Sequence, residues 1–338
     1  MKTRSLLAFV LLYAAFAAHA FAQQQPTAAN ASQNVYDMTL PGKNWSIELT
    51  LPDLTQIADD VSHDGKTRLF GAADAKNGII LLVTLAPAHL PGGAREFQDF
   101  MRKEFEKAKS TVKVSEYKQT PILEYTLMPP DIVVNGAVMP LNLFRMRRIS
   151  GLFVKDDVWI EVTMARKSLD AKERALFYSI LDTLKFAEPT GAPDALHHYR
   201  QGKAFYMQRD YAKAVEHYRR ALDLERQRPQ LDRRRWNMLV DELGSVLGNT
   251  GDLKSARETF ELGLSQDNSY PLFDYHLAGI YAAGGDLDSA ITHLRRAFAN
   301  KANLPPNSYM NPAQETTFKP YLKDARMRRL LDELKIKR

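Results

Sequence analysis

The sequence predicts two folds in series: an α+β sandwich, with an antiparallel sheet and two helices, followed by an all-α solenoid of stacked helix pairs. Two observations carry this expectation. Between Val35 and Phe186 apolar residues recur with a period of two, as strands with one buried face require. Beyond Ala195 the period lengthens to that of a helix, and small residues return at fixed offsets. A third feature, an apolar leader, speaks to destination rather than fold.

Residues 1–22 read as a secretory signal. Lys2 and Arg4 make a basic start, Leu6 to Ala18 an apolar run, and Ala18-His19-Ala20 and Ala20-Phe21-Ala22 are small-x-small sites. Cleavage is expected after Ala20 or Ala22, with an uncleaved anchor as the alternative. The run falls short of the ~18 apolar residues of a spanning helix, and no later segment reaches that length. The expected location is the periplasm or outside the cell, with membrane contact peripheral at most. Residues 23–33, polar and aperiodic, read as a flexible tether.

The 338 residues, 45% hydrophobic and 25% charged, leave room for two globular domains. There is no cysteine, which excludes thiolate metal ligands and a cysteine nucleophile. The formal net charge is +6, and most of the excess lies beyond residue 193, raising the question of an acidic partner.

In the first domain, residues 34–188, Trp45–Leu51 and Val158–Met164 alternate cleanly. Ile79–Val83 is apolar on both parities and suits a central strand covered on both faces. Further strands are expected near Arg68–Ala72, Val112–Lys118, Ile122–Leu127 and Leu141–Phe153, the last turning through Lys155-Asp156-Asp157 into the Val158 strand. Ala94–Ala108 gathers Phe97, Phe100, Met101 and Phe105 on one stripe of a helix. Leu169–Leu184 does the same with Leu176, Phe177, Ile180 and Leu181, behind Ser168 as N-cap. The strand entry Gly42-Lys43-Asn44-Trp45, the late hairpin and the final Leu184-Lys185-Phe186 resemble the Mog1/PsbP-like fold, whose members act as binding or assembly modules.

Residues 189–193 carry Pro189, Gly191 and Pro193 and read as a linker. Three units follow over residues 194–301. Gly202 and Ala214, Gly244 and Ala256, and Ala278 and Ala290 are each twelve residues apart. A bulky residue comes four later, Tyr218, Phe260 or Leu294, then a small one, Ala221, Gly263 or Ala297. Arg209-Asp210, Gly251-Asp252 and Gly285-Asp286 turn between the helices of each unit. This region resembles the tetratricopeptide repeat (TPR) family. Ala256 to Ala290 is the family's 34-residue step, whereas Ala214 to Ala256 is 42 and implies eight inserted residues near Gln227–Arg235. Residues 302–338 would connect to a capping helix over Asp324–Lys335, covering the apolar end of the stack.

No nucleophile, base and orienting group can be argued together, so no catalytic residue and no cofactor is expected. His197-His198 is a poor metal pair, because adjacent helical residues point about 100° apart. His63-Asp64-Gly65 has the composition of a turn, and His217 and His293 are expected on the surface of second helices. What remains is the concave face that the TPR resemblance implies, lined by Tyr199, Lys203 and Tyr206 in unit one, Asp241, Ser245 and Asn249 in unit two, and Tyr275 and Gly279 in unit three. Tyrosines there either contact a peptide or pack against the cap or the first domain. The family's chaperone-tail clamp is not implied, since Tyr199 and Lys203 stand where that clamp needs Lys and Asn. A basic run, Arg219, Arg220, Arg226, Arg228, Arg233, Arg234 and Arg235, either docks an anionic partner or pairs with Glu216, Asp223, Glu225 and Asp232. It lacks the interleaved aromatics of nucleic-acid readers. The resulting expectation is an exported, non-enzymatic adaptor for a protein or peptide partner. The alternative is a ligand-binding or enzymatic first domain with the repeats as a targeting module.

Overall fold

The computed structural model describes residues 34–51, 54–74, 76–108, 110–126, 132–134, 137–139, 146–188, 191–305 and 308–336. The expected leader and tether lie outside them. The chain divides into two compact units, Met1–Glu188 and Pro189–Arg338.

In the first unit the strands are β1 (Asn34–Met38), β2 (Ser46–Leu51), β3 (Thr55–Val61), β4 (Arg68–Asp74), β5 (Ile79–Pro87), β6 (Val112–Tyr117), β7 (Thr120–Thr126), β8 (Ile132–Val134), β9 (Ala137–Met139), β10 (Arg147–Lys155), β11 (Val158–Arg166) and β12 (Lys185–Ala187). A seven-stranded sheet runs β3-β4-β5-β11-β10-β7-β6, a three-stranded one β1-β2-β12, and β8 pairs with β9. Every pair is antiparallel. The helices α1 (Ala94–Lys107) and α2 (Ala171–Leu181) complete the sandwich.

One core joins the large sheet to the small one and α2, with Phe70, Val83, Ile160 and Val162 meeting Ile47, Leu49, Phe177 and Ile180. A second core lies under α1, where Phe97, Met101 and Phe105 cover Leu123, Leu152 and Trp159. The Phe97 ring stacks on Trp159 at 4.3 Å. The doubly covered strand is β11 rather than β5, where Ile80, Leu82 and Thr84 are only half-buried. Its alternation concealed this, because its second face buries a polar net. Ser150 Oγ and Tyr125 OH donate to Glu161 Oε1 at 2.8 and 3.1 Å, and Thr163 Oγ1 lies 2.7 Å from Ser150 Oγ.

The second helix is shorter than its pattern implied. Asp170, not Ser168, caps it, accepting from Lys172 N and Glu173 N, while Glu173 reaches back to Asp170 N. The helix stops at Leu181 instead of Leu184, and the edge strand β12 begins at Lys185. There Phe186 pairs with Ile47, and its ring meets Trp45 at 6.2 Å. Strand β3 escaped the sequence reading because Thr-Gln-Ile-Ala-Asp-Asp-Val is a half-exposed edge without alternation.

The second unit contains α3 (Ala195–Gln208), α4 (Tyr211–Gln227), α5 (Arg233–Asn249), α6 (Leu253–Gln266), α7 (Pro271–Ala283), α8 (Leu287–Ala299) and α9 (Ala325–Glu333). Aspartates start all but one of them: Asp194, Asp210, Asp232, Asp252, Asp286 and Asp324 each accept a backbone N–H of the first turn, whereas Pro271 begins α7. The insertion is absorbed as helix. The α4 helix has 17 residues against 14 in α6, and α5 has 17 against 13 in α7.

Close approach within each pair rests on the small landmark residues. A Cβ on Gly202 would lie 2.4 Å from the Tyr218 ring, and one on Gly244 2.5 Å from the Phe260 ring. In the tail, Phe318, in a tight helical turn over Thr316–Tyr321, joins Met327, Leu330 and Leu331 of α9 in the repeat core.

Candidate functional site

The expected lining residues stand on the first helices of the three units, α3, α5 and α7. Lys203, Tyr206 and Ser245 are half-buried and Asn249 is exposed. Gly279 borders open space, since a Cβ there would meet nothing within 4 Å. Asp241 stands between units, with Oδ1 3.1 Å from His276 Nε2 of α7. Next to it, Glu242 Oε2 accepts the Tyr218 hydroxyl at 2.6 Å, tying α4 to α5. Burial first, then the charges of Glu242 and Asp241, push the Tyr206 hydroxyl above its ordinary pKa. The two α5 carboxylates thus contact the helices on either side, α4 through Glu242 and α7 through Asp241.

Two of the expected tyrosines are interior residues. Tyr199 is 4% exposed and packs toward Tyr218, with ring centroids 6.3 Å apart. Tyr275 is 5% exposed, under the chain's own tail. Its hydroxyl accepts from Asn311 N at 3.1 Å and lies 3.5 Å from Glu315 Oε1, and its ring faces Phe318 at 6.3 Å. Tyr321 OH donates to Ala282 O at 2.7 Å, fixing the same segment on α7. Packing against the cap, one of the two readings open for these tyrosines, therefore describes Tyr275. No feature of Tyr275 itself marks this; the signal lay in Phe318 and Tyr321, apolar residues ahead of the last helix.

The basic run is divided among different tasks. Arg233 is spent on Asp267, with Nε 2.7 Å from Oδ2, and Asn237 Nδ2 and Ser269 Oγ also bond that carboxylate at 2.7 Å. The Arg233 bond above all holds Asp267 well below the usual carboxylate range. Arg226 meets Asp223 at 3.7 Å and Arg235 meets Asp232 at 2.8 Å. Glu225 is not an arginine partner but accepts Gln230 N and Leu231 N, closing the turn after α4. Arg219, Arg220, Arg228 and Arg234 are exposed and form no ion pair with a carboxylate among the described residues, although the Arg219 charge reaches Asp252.

The histidines are placed differently from expectation. His217 and His293 are half-buried, not surface residues, because each meets a first-helix residue nineteen positions earlier. His198 Nδ1 lies 3.1 Å from His217 Nδ1, and His293 Nδ1 lies 2.7 Å from Asp274 Oδ1. Among the described residues no group of three or more His, Asp or Glu could hold a metal ion. No described helix is long and apolar enough to cross a membrane. His63-Asp64-Gly65 forms the β3–β4 turn, with Asp64 Oδ1 accepting Ser62 Oγ at 2.6 Å and Lys66 N at 3.1 Å.

Comparison with known families places the repeats. Tetratricopeptide repeat models match residues 198–228 and 242–305. No curated protein matches the chain. Among solved structures, PcrH from Pseudomonas aeruginosa is 19% identical, covering 42% of this chain and 91% of its own, with a TM-score of 0.29. The Yersinia enterocolitica type III secretion chaperone SycD, in complex with a peptide of the translocator YopD, is 20% identical over 41% of this chain and 91% of its own, with a TM-score of 0.29. BtubC from P. vanneervenii is 17% identical over 48% of this chain and 71% of its own, with a TM-score of 0.35.

Proposed function

We propose that this protein is an exported, non-enzymatic adaptor that holds a polypeptide segment against the first helices of its tetratricopeptide repeats. The repeats themselves support a protein-interaction role, because stacked helix pairs leave an extended surface formed by one helix of each pair. One observation carries the finer reading: Lys203 and Tyr206, Asp241 and Ser245, and Gly279 stand on successive first helices, and the Gly279 position opens onto free space. Half-buried hydroxyls and carboxylates there would supply hydrogen-bond partners to an extended chain. The leader motif supports export to the periplasm or beyond. The first unit, read as a Mog1/PsbP-like module, would hold a second partner or orient the first.

The test places a photo-crosslinking residue at Gly279 or at Ser245 in the full chain. Both are expected to capture a polypeptide, and Gly279→Tyr, whose Cβ would meet nothing within 4 Å, should abolish capture at Ser245. Crosslinks forming only from exposed sites of the first unit, such as Leu90 or Val114, would reverse the assignment.

A further inference from the structure

The tail builds a cleft of its own. With a volume of about 480 Å³, it opens between the end of α8, the 309–314 segment and the end of α9. That volume falls within the range of small-molecule sites, roughly 300–1,000 Å³. Phe298, Met310, Leu334 and Ile336 supply its apolar side, Asn311 and Gln314 lie on its polar side, and Lys301 and Lys335 add two cations. Neither ammonium has a carboxylate partner among the described residues. Glu333, two residues before Lys335, is occupied by Arg295 at 3.0 Å. Lys301 Nζ lies 5.8 Å from the centre of the Phe298 ring, so charge and apolar wall adjoin.

The backbone that presents Lys335 is held against its own preference. Lys335 has φ +55°, the left-handed conformation that favours glycine at a helix end. Lys335 N donates to Asp332 O at 3.1 Å and Ile336 N to Leu331 O at 2.9 Å, which turns Ile336 back beside Leu334 at the cleft. A glycine would close α9 with less strain but would supply no cation.

We propose that this cleft binds an apolar monocarboxylate of the medium-chain fatty-acid class. Its hydrocarbon lies on Phe298, Met310, Leu334 and Ile336, and its carboxylate is shared by Lys301 and Lys335. Apolar walls favour the chain by removing it from water. Two ammoniums at one cleft favour a single anionic head through charge-assisted hydrogen bonds. Among the described residues no arginine lines the cleft, so they do not supply the planar two-point recognition that marks phosphate and bidentate carboxylate sites.

Calorimetric titration of the full chain with decanoate, with n-decanol as the neutral control, tests this. Saturable one-to-one binding of decanoate at least tenfold tighter than decanol is expected. Lys301→Met should weaken it at least fivefold. Lys335→Gly should weaken it similarly while leaving the thermal midpoint unchanged or higher, a split that a purely structural lysine would not produce. Equal binding of decanoate and decanol, or unchanged affinity in both lysine variants, would overturn the proposal. So would binding of a peptide with a free C-terminal carboxylate in the absence of decanoate binding.

Discussion

Repeat units one and two bring their helices together across a glycine; unit three does so across an alanine. In the first two the space is taken by an aromatic ring, Tyr218 over Gly202 and Phe260 over Gly244, whereas the equivalent positions of unit three hold Ala278 and the smaller Leu294 in the same core. All of these residues are buried. The repeat therefore conserves the volume of a pair rather than the identity of either residue, as close-packed interiors demand. The sharpest way to break this comparison is Gly244→Ala, which sets a methyl 2.5 Å from the Phe260 ring. Overpacking costs about 1–3 kcal/mol and exceeds the ~1 kcal/mol that alanine gains in helix propensity. Urea unfolding should report a net loss of up to about 2 kcal/mol. Adding Phe260→Leu, which recreates the unit-three pair, should recover most of it. Simple additivity of the two losses would show that the pair does not act as one volume.

A second slot links the helices of each pair at a separation of nineteen residues. It holds His198 and His217 in unit one, and Asp274 and His293 in unit three, where Arg296 also approaches Asp274 at 3.4 Å. The chemistry of the two is opposite. Asp274 offers its imidazole a negative charge, while the unit-one histidines offer each other none. Partial burial, then the neighbouring His217, His197 and Arg220 charges, push His198 down to about 4 against only a weak opposing pull from Asp194. His217, stacked on Phe205, is lowered mainly by burial. Both are lower in the folded chain than the ordinary 6.5, so the unfolded chain binds more protons between these values. The stability they contribute is complete above pH 6.5 and drains away as pH falls toward about 4. Stability measured across that interval should decline, and His198→Asn should flatten the decline. The capping aspartates Asp252 and Asp286, lowered chiefly by the side chains and then the backbone N–H groups of Ser255 and Ser289, lose their contribution only at still lower pH. An unchanged slope in His198→Asn would remove the pair from the account.

What could be read from residues alone follows from how local each cause is. Period-two strands, the Gly/Ala landmarks and the turn aspartates act within one element or one pair, so they show in the sequence. The eight extra residues after unit one were legible as a spacing, though not that they would lengthen α4 and α5. Distant partnerships were hidden: Arg233 with Asp267, 34 residues on, or Tyr275 beneath Asn311 and Phe318. For the histidines a signal did exist. The nineteen-residue step from His198 to His217 repeats from Asp274 to His293, and aligning the units would have exposed it. The Trp45–Phe186 contact joined the two ends of a pattern noticed in sequence, but by way of a strand where a helix end was expected.

The smallest difference between units lies in their turns. Gly251 and Gly285 occupy φ +91° and +84°, while Arg209 holds the equivalent place at φ +66° with a full side chain. Its N–H closes α3 on Phe205 O and Tyr206 O, so the conformation is required by the helix end and not by the arginine. Left-handed backbone costs a residue with a Cβ roughly 1–2 kcal/mol, partly offset by the greater chain entropy that glycine loses on folding. Arg209→Gly should thus stabilise the chain by about 0.5–1 kcal/mol in urea unfolding. Gly251→Arg, carrying the unit-one residue into unit two, should cost a similar amount. The two substitutions exchange the same chemistry between equivalent turns, so their effects must carry opposite signs. If Arg209→Gly destabilises instead, the Arg209 side chain makes a contribution at this exposed turn that outweighs its strain.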